Sequence, residues 1–312
     1  MDKRTWLSVH LYSYNLAINE IVFNFIPKYL NSIQIKDLHF KYFFIRYYDD
    51  FGSHVRLRLD IDDDSDIKLI KSTIEKDYSS FYSQTAIRFS NSTAEKQLVR
   101  YIQYEPEIGR YGGRNTIPIC ENIFHLSSKT IINLRKDFDF HNYSSIIPVA
   151  LKLHLIFVMG LKLEMKIILE LLSSTIKFWI PYAFETVIND KTYALSREEK
   201  INICLDNYNK AYLANKENIS LLLTDTLISL KYRKYSKNDP FNRWFLESKS
   251  LNNQIKICLT KTEPVNINNK LFSIHSSLIH MTNNRIGVSN VDEAYLAYIL
   301  FKFLTEKSQS LD

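Results

Sequence analysis

One short segment of the sequence carries polar and charged side chains at alternate positions. In Ser53–Ile61 (SHVRLRLDI), apolar residues alternate with His54, Arg56, Arg58 and Asp60, which is the pattern of a half-buried β-strand. Because side chains alternate between the two faces of a strand, the two arginines share a face and lie about 7 Å apart. Two guanidinium groups at that spacing could grip a carboxylate or another small anion. The solvated face of an amphipathic strand explains the same pattern, so both interpretations stay open.

A glycine cluster marks the second candidate. The segment Tyr104–Gly113 (YEPEIGRYGG) contains three of the six glycines in the chain. These three, Gly109, Gly112 and Gly113, lie within a stretch of five residues that includes Arg110. Glycine reaches backbone conformations that are closed to other residues, and it lets a ligand approach the backbone closely. Glu105 and Glu107 could form a local ion-pair network with Arg110. An ordinary tight loop is the alternative.

The third candidate is Ser276–Gly287 (SSLIHMTNNRIG), in which His280 stands between an apolar run and a polar cluster. Histidine exchanges protons near neutral pH, so it suits the role of an acid or a base. A lone histidine is, however, more often a structural residue. Asn284 and Arg285 ahead of Gly287 would equally suit the end of a helix or a turn.

Several common catalytic motifs are missing from the sequence. It has no phosphate-binding Gly-rich loop, G-x-S-x-G elbow, H-E-x-x-H helix or EF-hand loop, which argues against nucleotide, dinucleotide and zinc chemistry. Cys120, Cys204 and Cys258 lie far apart and fit neither a disulfide framework nor a zinc site. Three reduced thiols and the lack of a secretory signal predict a cytoplasmic protein.

The N-terminal third must position the first candidate, and its pattern is that of strands. Asp49–Gly52 supplies turn residues between two of them, which predicts a β-hairpin. A helix-like stretch, Ala17–Leu30, is interrupted by Pro27. The predicted strands are Trp6–Tyr14, Phe40–Tyr48 and Ser53–Ile61.

From Ile146 onward, long apolar-periodic segments separated by polar loops predict helices. They are Val149–Leu172, Glu198–Asn215, Ile219–Leu230 and Val291–Leu304. Charged residues interrupt the first of them, whereas a membrane span needs roughly 18 nearly uninterrupted apolar residues, so it predicts one buried helix and no membrane span. We therefore expect an α+β protein, with an antiparallel sheet formed mostly by the N-terminal third and packed against a largely helical C-terminal half. Residues 1–312 are expected to form one domain.

The overall composition is that of a soluble globular protein with a full core, since 46% of the residues are apolar and 24% are charged. The formal charge of +6 is mildly basic. No nucleic-acid-binding motif accompanies that charge, so no direct binding of nucleic acid is expected.

Together and in this order, three blocks of sequence resemble one protein family. They are His54–Arg58 (HVRLR), Tyr104–Gly113 and Ser277–Arg285 (SLIHMTNNR). The arrangement resembles the C-terminal, glutamate-elimination domain of lantibiotic dehydratases. The same domain stands alone in the thiopeptide-type bacteriocin biosynthesis proteins. The resemblance runs from about Trp6 to Leu304.

The resemblance implies a β-elimination on a ribosomally made peptide. In that family, a separate protein uses glutamyl-tRNA to esterify Ser or Thr of a precursor peptide. The elimination domain then removes glutamate and leaves dehydroalanine or dehydrobutyrine. Such a reaction needs a proton acceptor, cationic groups for the developing charge and a grip on glutamate, but no metal or organic cofactor. The expected partners are the precursor peptide, with its leader and glutamylated core, and the separate tRNA-dependent glutamylation protein.

Four residues match the family's elimination residues, and three more are second-tier candidates beside them. The four expected catalytic residues are Arg56, Arg58, Arg110 and His280. The three residues expected to bind or orient the substrate are His54, Glu107 and Arg285. The arginines would bind glutamate and stabilise the enolate-like intermediate, while the histidine would transfer a proton, as base or as acid. His125 departs from the family pattern, which has an acidic residue at that position.

Two other functions stay open. The same fold is similar to thiopeptide [4+2] cyclases, which join two dehydroalanines into a pyridine or dehydropiperidine core. A cyclase has no glutamate to hold, so the presence of the arginines and the histidine favours elimination. A non-catalytic scaffold that presents the precursor peptide to a larger partner would need a strand edge and not these groups. The peptide product, the preference for Ser or Thr and the oligomeric state, including a homodimer, do not follow from the sequence.

Overall fold

The computed structural model describes residues 6–14, 16–34, 40–61, 63–85, 97–185, 195–232, 236, 238–262, 265 and 267–309. An antiparallel sheet built mostly from the first sixty residues is followed by a series of helices, which confirms the predicted α+β class. The strands are β1 (Trp6–Tyr12), β2 (Lys41–Asp49), β3 (Gly52–Asp60) and β4 (Val99–Tyr101). They lie in the order β2-β3-β1-β4, and each adjacent pair is antiparallel. Strand β4 was not predicted.

The helices lie mostly after the sheet, as predicted. They are α1 (Ile18–Glu20), a π-helical turn (Ile21–Phe25), α2 (Ile26–Gln34), α3 (Asp64–Thr85), α4 (Ile117–Leu134), α5 (Tyr143–Gly160), α6 (Met165–Glu185), α7 (Arg197–Ala214), α8 (Lys216–Lys231), α9 (Pro240–Thr262), α10 (Ile267–Ile286) and α11 (Asn290–Gln309). The interruption predicted at Pro27 takes the form of the π-helical turn just before it. Proline lacks the N–H that would continue the i→i−4 ladder, and a π-turn absorbs that break.

The prediction of one helix over Val149–Leu172 is wrong, because two helices cover this stretch. Helix α5 ends at Gly160, and Lys162 adopts φ = 52° in the turn that precedes α6. Both helices are long and apolar enough to cross a membrane by length and composition alone. In α5, however, 61% of the residues are buried inside the protein, as in the core helices of soluble proteins.

The predicted hairpin is present, and its register fixes which side chains share a face. Asp49 pairs with Gly52 at the turn, where Gly52 has φ = 110°, a conformation that glycine adopts without strain. Val55 and Leu57, on one face of β3, are fully buried. Arg58, on the other face, is only 8% exposed. The solvated-face interpretation of this strand is therefore excluded, because helices cover its second face as well.

Strand β2 lies at one edge of the sheet, and side chains of two helices bond its outward backbone groups. From α4, Nδ1 of His125 lies 2.9 Å from the carbonyl oxygen of Tyr42. From α10, the carboxamide of Asn284 accepts from the N–H of Arg46 (2.8 Å) and donates to its C=O (2.9 Å). These bonds satisfy an edge that would otherwise expose unpaired groups. They also seat α4 and α10 over the arginine-bearing face of the sheet.

Candidate active site

The three segments singled out in the sequence meet at one cavity of about 300 Å³, which we name the arginine cavity. Strands β2 and β3 form its floor, the loop between β4 and α4 forms one wall, and α4 and α10 close the others. Its cationic and proton-exchanging lining residues are Arg46, Arg56, Arg58, Arg110, Arg285 and His280. The two acidic groups of the lining, Glu105 and Glu107, are exposed.

Arg56 and Arg58 project from β3 over aromatic rings of the neighbouring segments. The guanidinium carbon of Arg56 lies 3.3 Å from the ring centre of Tyr47, and its Nε donates to Nε2 of His54 (3.2 Å). The guanidinium of Arg58 lies 4.6 Å from the ring centre of Tyr104. Such stacking holds a guanidinium in place while leaving in-plane donors free for a ligand.

Arg285 is buried and Arg46 is half-buried in the lining of the cavity. Arg285 was predicted to belong to the site, whereas Arg46 was not. Arg285 is 1% exposed; its Nε donates to Oγ of Ser128 (3.1 Å) and its Nη1 to the carbonyl oxygen of Met281 (2.8 Å). Burial lowers the pKa of Arg285 to about 9 and the pKa of both Arg46 and Arg58 to about 10. All three pKa values stay above neutral pH, so these buried groups remain cationic.

The buried arginines keep donors that no other group satisfies. Nη2 of Arg46, Nε of Arg58 and Nη2 of Arg285 have no hydrogen-bond partner among the described residues. An unsatisfied buried donor costs about 1–3 kcal/mol. The charges of Glu107 and of the buried Glu121 offset part of the cost of burying Arg58, but they leave these donors free to bond a ligand that enters the arginine cavity.

Arg110 is held by both the glycine-containing loop and helix α10. Its Nε donates to Oγ of Ser277 (3.0 Å), and its Nη1 lies 3.3 Å from both carboxylate oxygens of Glu107. The expected local ion pair thus exists for Glu107, although both partners are partly exposed and the pair is worth little in stability. Its effect is to orient the guanidinium, which remains more accessible than the buried arginines.

Gly112 explains the glycine cluster by a close approach between this loop and the helices. It has φ = 81°, and a Cβ placed on it would lie 2.8 Å from Cδ1 of Ile274 on α10. The positive φ strains any other residue, and a Cβ would also force the side chain of Ile274 to shift. The loop that carries Arg110 is therefore pressed against α10, which carries His280.

His280 lies in the wall of the cavity and is fixed by two residues that the sequence did not reveal. Its Nδ1 lies 2.7 Å from Oε1 of Glu293, on α11, and its ring stacks on Trp179, of α6, with 4.5 Å between ring centres. Glu293 is 1% exposed. A carboxylate partner requires a proton on Nδ1, so Nε2 is the nitrogen left to exchange a proton with a ligand. The positions of Glu293 and Trp179 depend on helix packing, which leaves no motif in the sequence.

His54, which we expected to bind substrate, lies behind Arg56 and does not line the cavity. It has no exposed surface, its Nδ1 lies 3.1 Å from the carbonyl oxygen of Gly52, and burial lowers its pKa. A neutral ring with Nδ1 protonated donates to that carbonyl and accepts from Arg56. His54 therefore positions an arginine.

The described residues include one group with three candidate metal ligands, His10, Asp49 and His54, whose ligand atoms all lie within 4.8 Å of one another. Asp49 already accepts from the hydroxyl of Tyr12 (2.9 Å), and Nδ1 of His54 is bonded to a backbone carbonyl. Burial, followed by the charge of Arg56, lowers the pKa of His10 to about 3. The adjacent arginine also repels a cation, so this cluster does not fit a metal ion.

The structure is an α+β fold in which a cavity lined by arginines lies beside a carboxylate-held histidine. The chain belongs to the family described as "Lantibiotic biosynthesis dehydratase C-term", which matches residues 6–304. This confirms the resemblance found in the sequence. Membership in this family supports an enzymatic role in the modification of ribosomal peptides.

Known relatives agree with this assignment. The chain is 23% identical over 314 residues to "Epidermin biosynthesis protein EpiB" of Staphylococcus epidermidis, covering 99% of this chain and 27% of that protein. The chain thus spans about a quarter of that curated relative.

Solved structures show the same fold at low sequence identity. The tRNA-dependent lantibiotic dehydratase MibB from Microbispora sp. 107891 has a TM-score of 0.66 at 15% identity, covering 99% of this chain and 29% of MibB. The pyridine synthase TbtD from thiomuracin biosynthesis has a TM-score of 0.71 at 9% identity, covering 97% of this chain and 98% of TbtD. At these identities the likeness establishes the fold alone.

Proposed function

We propose that this chain eliminates glutamate from glutamylated Ser or Thr residues of a ribosomal precursor peptide. The observation that carries the proposal is the set of buried arginine donors without partners in the arginine cavity. A glutamyl ester brings a free carboxylate that could satisfy them through charge-assisted hydrogen bonds. The family match supports a peptide substrate, because this family acts in lantibiotic biosynthesis.

In the reaction, the Cα–H and Cβ–O bonds of the esterified residue break and a Cα=Cβ double bond forms. The Cα proton passes to a base, and the glutamyl carboxylate leaves with the electron pair of the Cβ–O bond. We assign the proton transfer to Nε2 of His280, because Glu293 occupies Nδ1. Negative charge builds on the peptide carbonyl, and Arg110 is the accessible cation beside His280 that could stabilise it.

The arginines have two roles in this reaction, which are to bind the glutamyl carboxylate and to stabilise the charge on the peptide carbonyl. Arg58 and Arg285, buried on the floor and wall, would hold the glutamyl carboxylate, with Arg56 beside them. Glu107 and His54 would orient Arg110 and Arg56, respectively. Acid–base and electrostatic groups suffice for elimination from an activated ester, so no cofactor enters the proposal. The glutamyl group would arrive on the peptide, made by a separate tRNA-dependent protein.

A [4+2] cyclisation is the second candidate, because the pyridine synthase TbtD shares the fold over nearly its whole length. Its substrate is already dehydrated and brings no carboxylate ester. The unsatisfied arginine donors would then stay without an anion, which is why elimination is preferred.

Reconstitution with a precursor peptide and a glutamylation protein separates the two candidates. We expect Arg110→Ala and His280→Ala to slow the reaction on the order of a hundredfold, as loss of one preorganised group commonly does. Glutamylated peptide then accumulates and is seen by mass spectrometry, while Arg243→Ala, an exposed-helix control, behaves as wild type. Accumulation of linear dehydrated peptide by the two variants would favour cyclisation instead.

A further inference from the structure

A second, larger cavity of about 700 Å³ opens between helices α6 and α10, and we name it the α6–α10 groove. Arg110 and His280 belong to its lining as well as to the lining of the arginine cavity. The two spaces therefore meet at the pair of residues to which the proposed chemistry is assigned. A ligand whose reacting atom lies beside His280 can extend into both.

The lining of the groove is mostly uncharged, whereas that of the arginine cavity is rich in arginine. Apart from Arg110 and His280, every described lining residue is uncharged. Hydroxyl and amide groups and aromatic rings line the two helices, among them Phe178, Tyr182, Phe272, Ser273, Ser276 and Asn269. Such a lining does not fit nucleic acid or an acidic partner, which need clustered lysine or arginine. It fits an uncharged chain with apolar side chains and with polar backbone groups to satisfy.

Two aromatic side chains of α6 face this groove without being covered by the protein. Phe178 is 64% exposed and Tyr182 is 39% exposed, whereas Trp179 between them is 7% exposed and stacks on His280. Exposed aromatic rings one helical turn apart, beside a wall of hydroxyl groups, are typical of a surface that contacts a ligand. Both rings contact Trp179, which stacks on the proposed catalytic histidine.

Resting on the proposed function, we propose that the α6–α10 groove binds the segment of precursor peptide adjoining the glutamylated residue. In this pose the glutamyl group lies in the arginine cavity and the Cα–H of the modified residue lies at His280. The adjoining residues of the peptide then extend into the α6–α10 groove, which shares His280 with the cavity. Ser273, Ser276 and Asn269 can bond their peptide groups, and Phe178 and Tyr182 pack on their side chains. The groove therefore selects substrates with an aromatic or aliphatic residue beside the modified position.

The test compares two synthetic substrates. One is a peptide with a single O-glutamyl serine flanked by phenylalanine, and the other is the same ester on a capped single serine that cannot reach the groove. For wild type, we expect kcat/KM to favour the peptide. In Phe178→Ala and Tyr182→Ala, we expect that preference to fall about tenfold, chiefly through KM, as for truncation of an interface aromatic. Tyr232→Ala, which removes a 63% exposed tyrosine outside both cavities, should keep the wild-type preference.

Failure of the groove and failure of the proposed function give different results. Should wild type release glutamate from both substrates while the groove variants keep the full preference, the groove proposal is overturned. Should wild type release glutamate from neither, elimination fails, and binding of a fluorescein-labelled dehydrated peptide is measured by anisotropy. Weaker binding in Phe178→Ala and Tyr182→Ala, but not in Tyr232→Ala, would still support the groove; equal binding in all would refute it.

Discussion

Nδ1 of His280 lies 2.7 Å from Oε1 of Glu293, which joins the proposed proton-transfer group on α10 to a buried carboxylate on α11. Oε2 of Glu293 has no hydrogen-bond partner among the described residues, so the imidazole is its principal polar contact there. The carboxylate fixes the tautomer and orientation of the ring, and Trp179 fixes its plane. The pair has the arrangement of an orienting acid and a general base.

The first prediction concerns Glu293→Gln, which keeps the shape of the side chain and removes its charge. Glutamine can donate to Nδ1 and thereby leave Nε2 protonated, which is the wrong tautomer for a base. We expect kcat to fall on the order of a hundredfold or more, with a small change in KM. Glu306→Gln, on the same helix, removes one partner of the half-exposed pair with Lys216 and serves as the control. An unchanged kcat in Glu293→Gln would remove the orienting role.

The second prediction tests whether buried arginines recognise the glutamyl carboxylate. An O-acetyl serine peptide presents an ester without that carboxylate, so wild type should process it on the order of a hundredfold more slowly than the O-glutamyl peptide. Arg58→Met keeps the apolar stem and removes the cation, so it should lose most of this discrimination. Arg243→Met is the matched surface control. Equal rates for both esters in wild type would show that the cavity does not recognise the glutamyl carboxylate.

The third prediction concerns the seating of α10 on the sheet. Asn284→Ala removes both hydrogen bonds to the backbone of Arg46 and leaves an edge N–H and C=O unpaired. We expect the free energy of unfolding, measured by urea denaturation, to fall by about 1–3 kcal/mol. Asn253→Ala, at an exposed position of α9, should change it by less than about 0.5 kcal/mol. Equal effects of the two substitutions would contradict the proposed role of Asn284.

Strands β1, β2 and β3 and the residue types of the site could be predicted from the sequence because both follow from local patterns. Period-two alternation placed Arg56 and Arg58 on one face, and Asp49–Gly52 gave the turn. The sequence could not distinguish a solvated face from a covered one, since the cover comes from α4 and α10, which follow β3 much later in the chain. The separate partners of His280 were missed for the same reason: Glu293 and Trp179 reach it only through helix packing.

The error over Val149–Leu172 has a local cause. Both α5 and α6 are apolar around much of their circumference, so their periodicity runs on through the turn between them. The turn itself holds Lys162 in the left-handed region, which sequence does not signal for lysine as it would for glycine. Apolar content alone therefore could not show where one helix ended and the next began.

The fourth prediction is that the free energy of unfolding decreases in acid. Burial lowers the pKa of His154 and of His275 to about 4, so both are neutral in the folded chain, whereas the unfolded chain protonates them near pH 6.5. Below about pH 6.5 the unfolded state binds more protons, so the free energy of unfolding falls from that pH toward pH 4 and is insensitive to them above it. Each histidine contributes a slope of about 1.4 kcal/mol per pH unit. His275→Leu should reduce the slope by about one such contribution; an unchanged slope would contradict it.

In the most direct measurement, the purified chain is incubated with each of two synthetic peptides in separate reactions, without any other protein. One carries a single O-glutamyl serine, and the other carries two dehydroalanines in place of serine. Mass spectrometry should show release of free glutamate from the first, leaving dehydroalanine, and no change in the second. An intact glutamyl ester together with cyclisation of the second peptide would contradict glutamate elimination as the function of this chain.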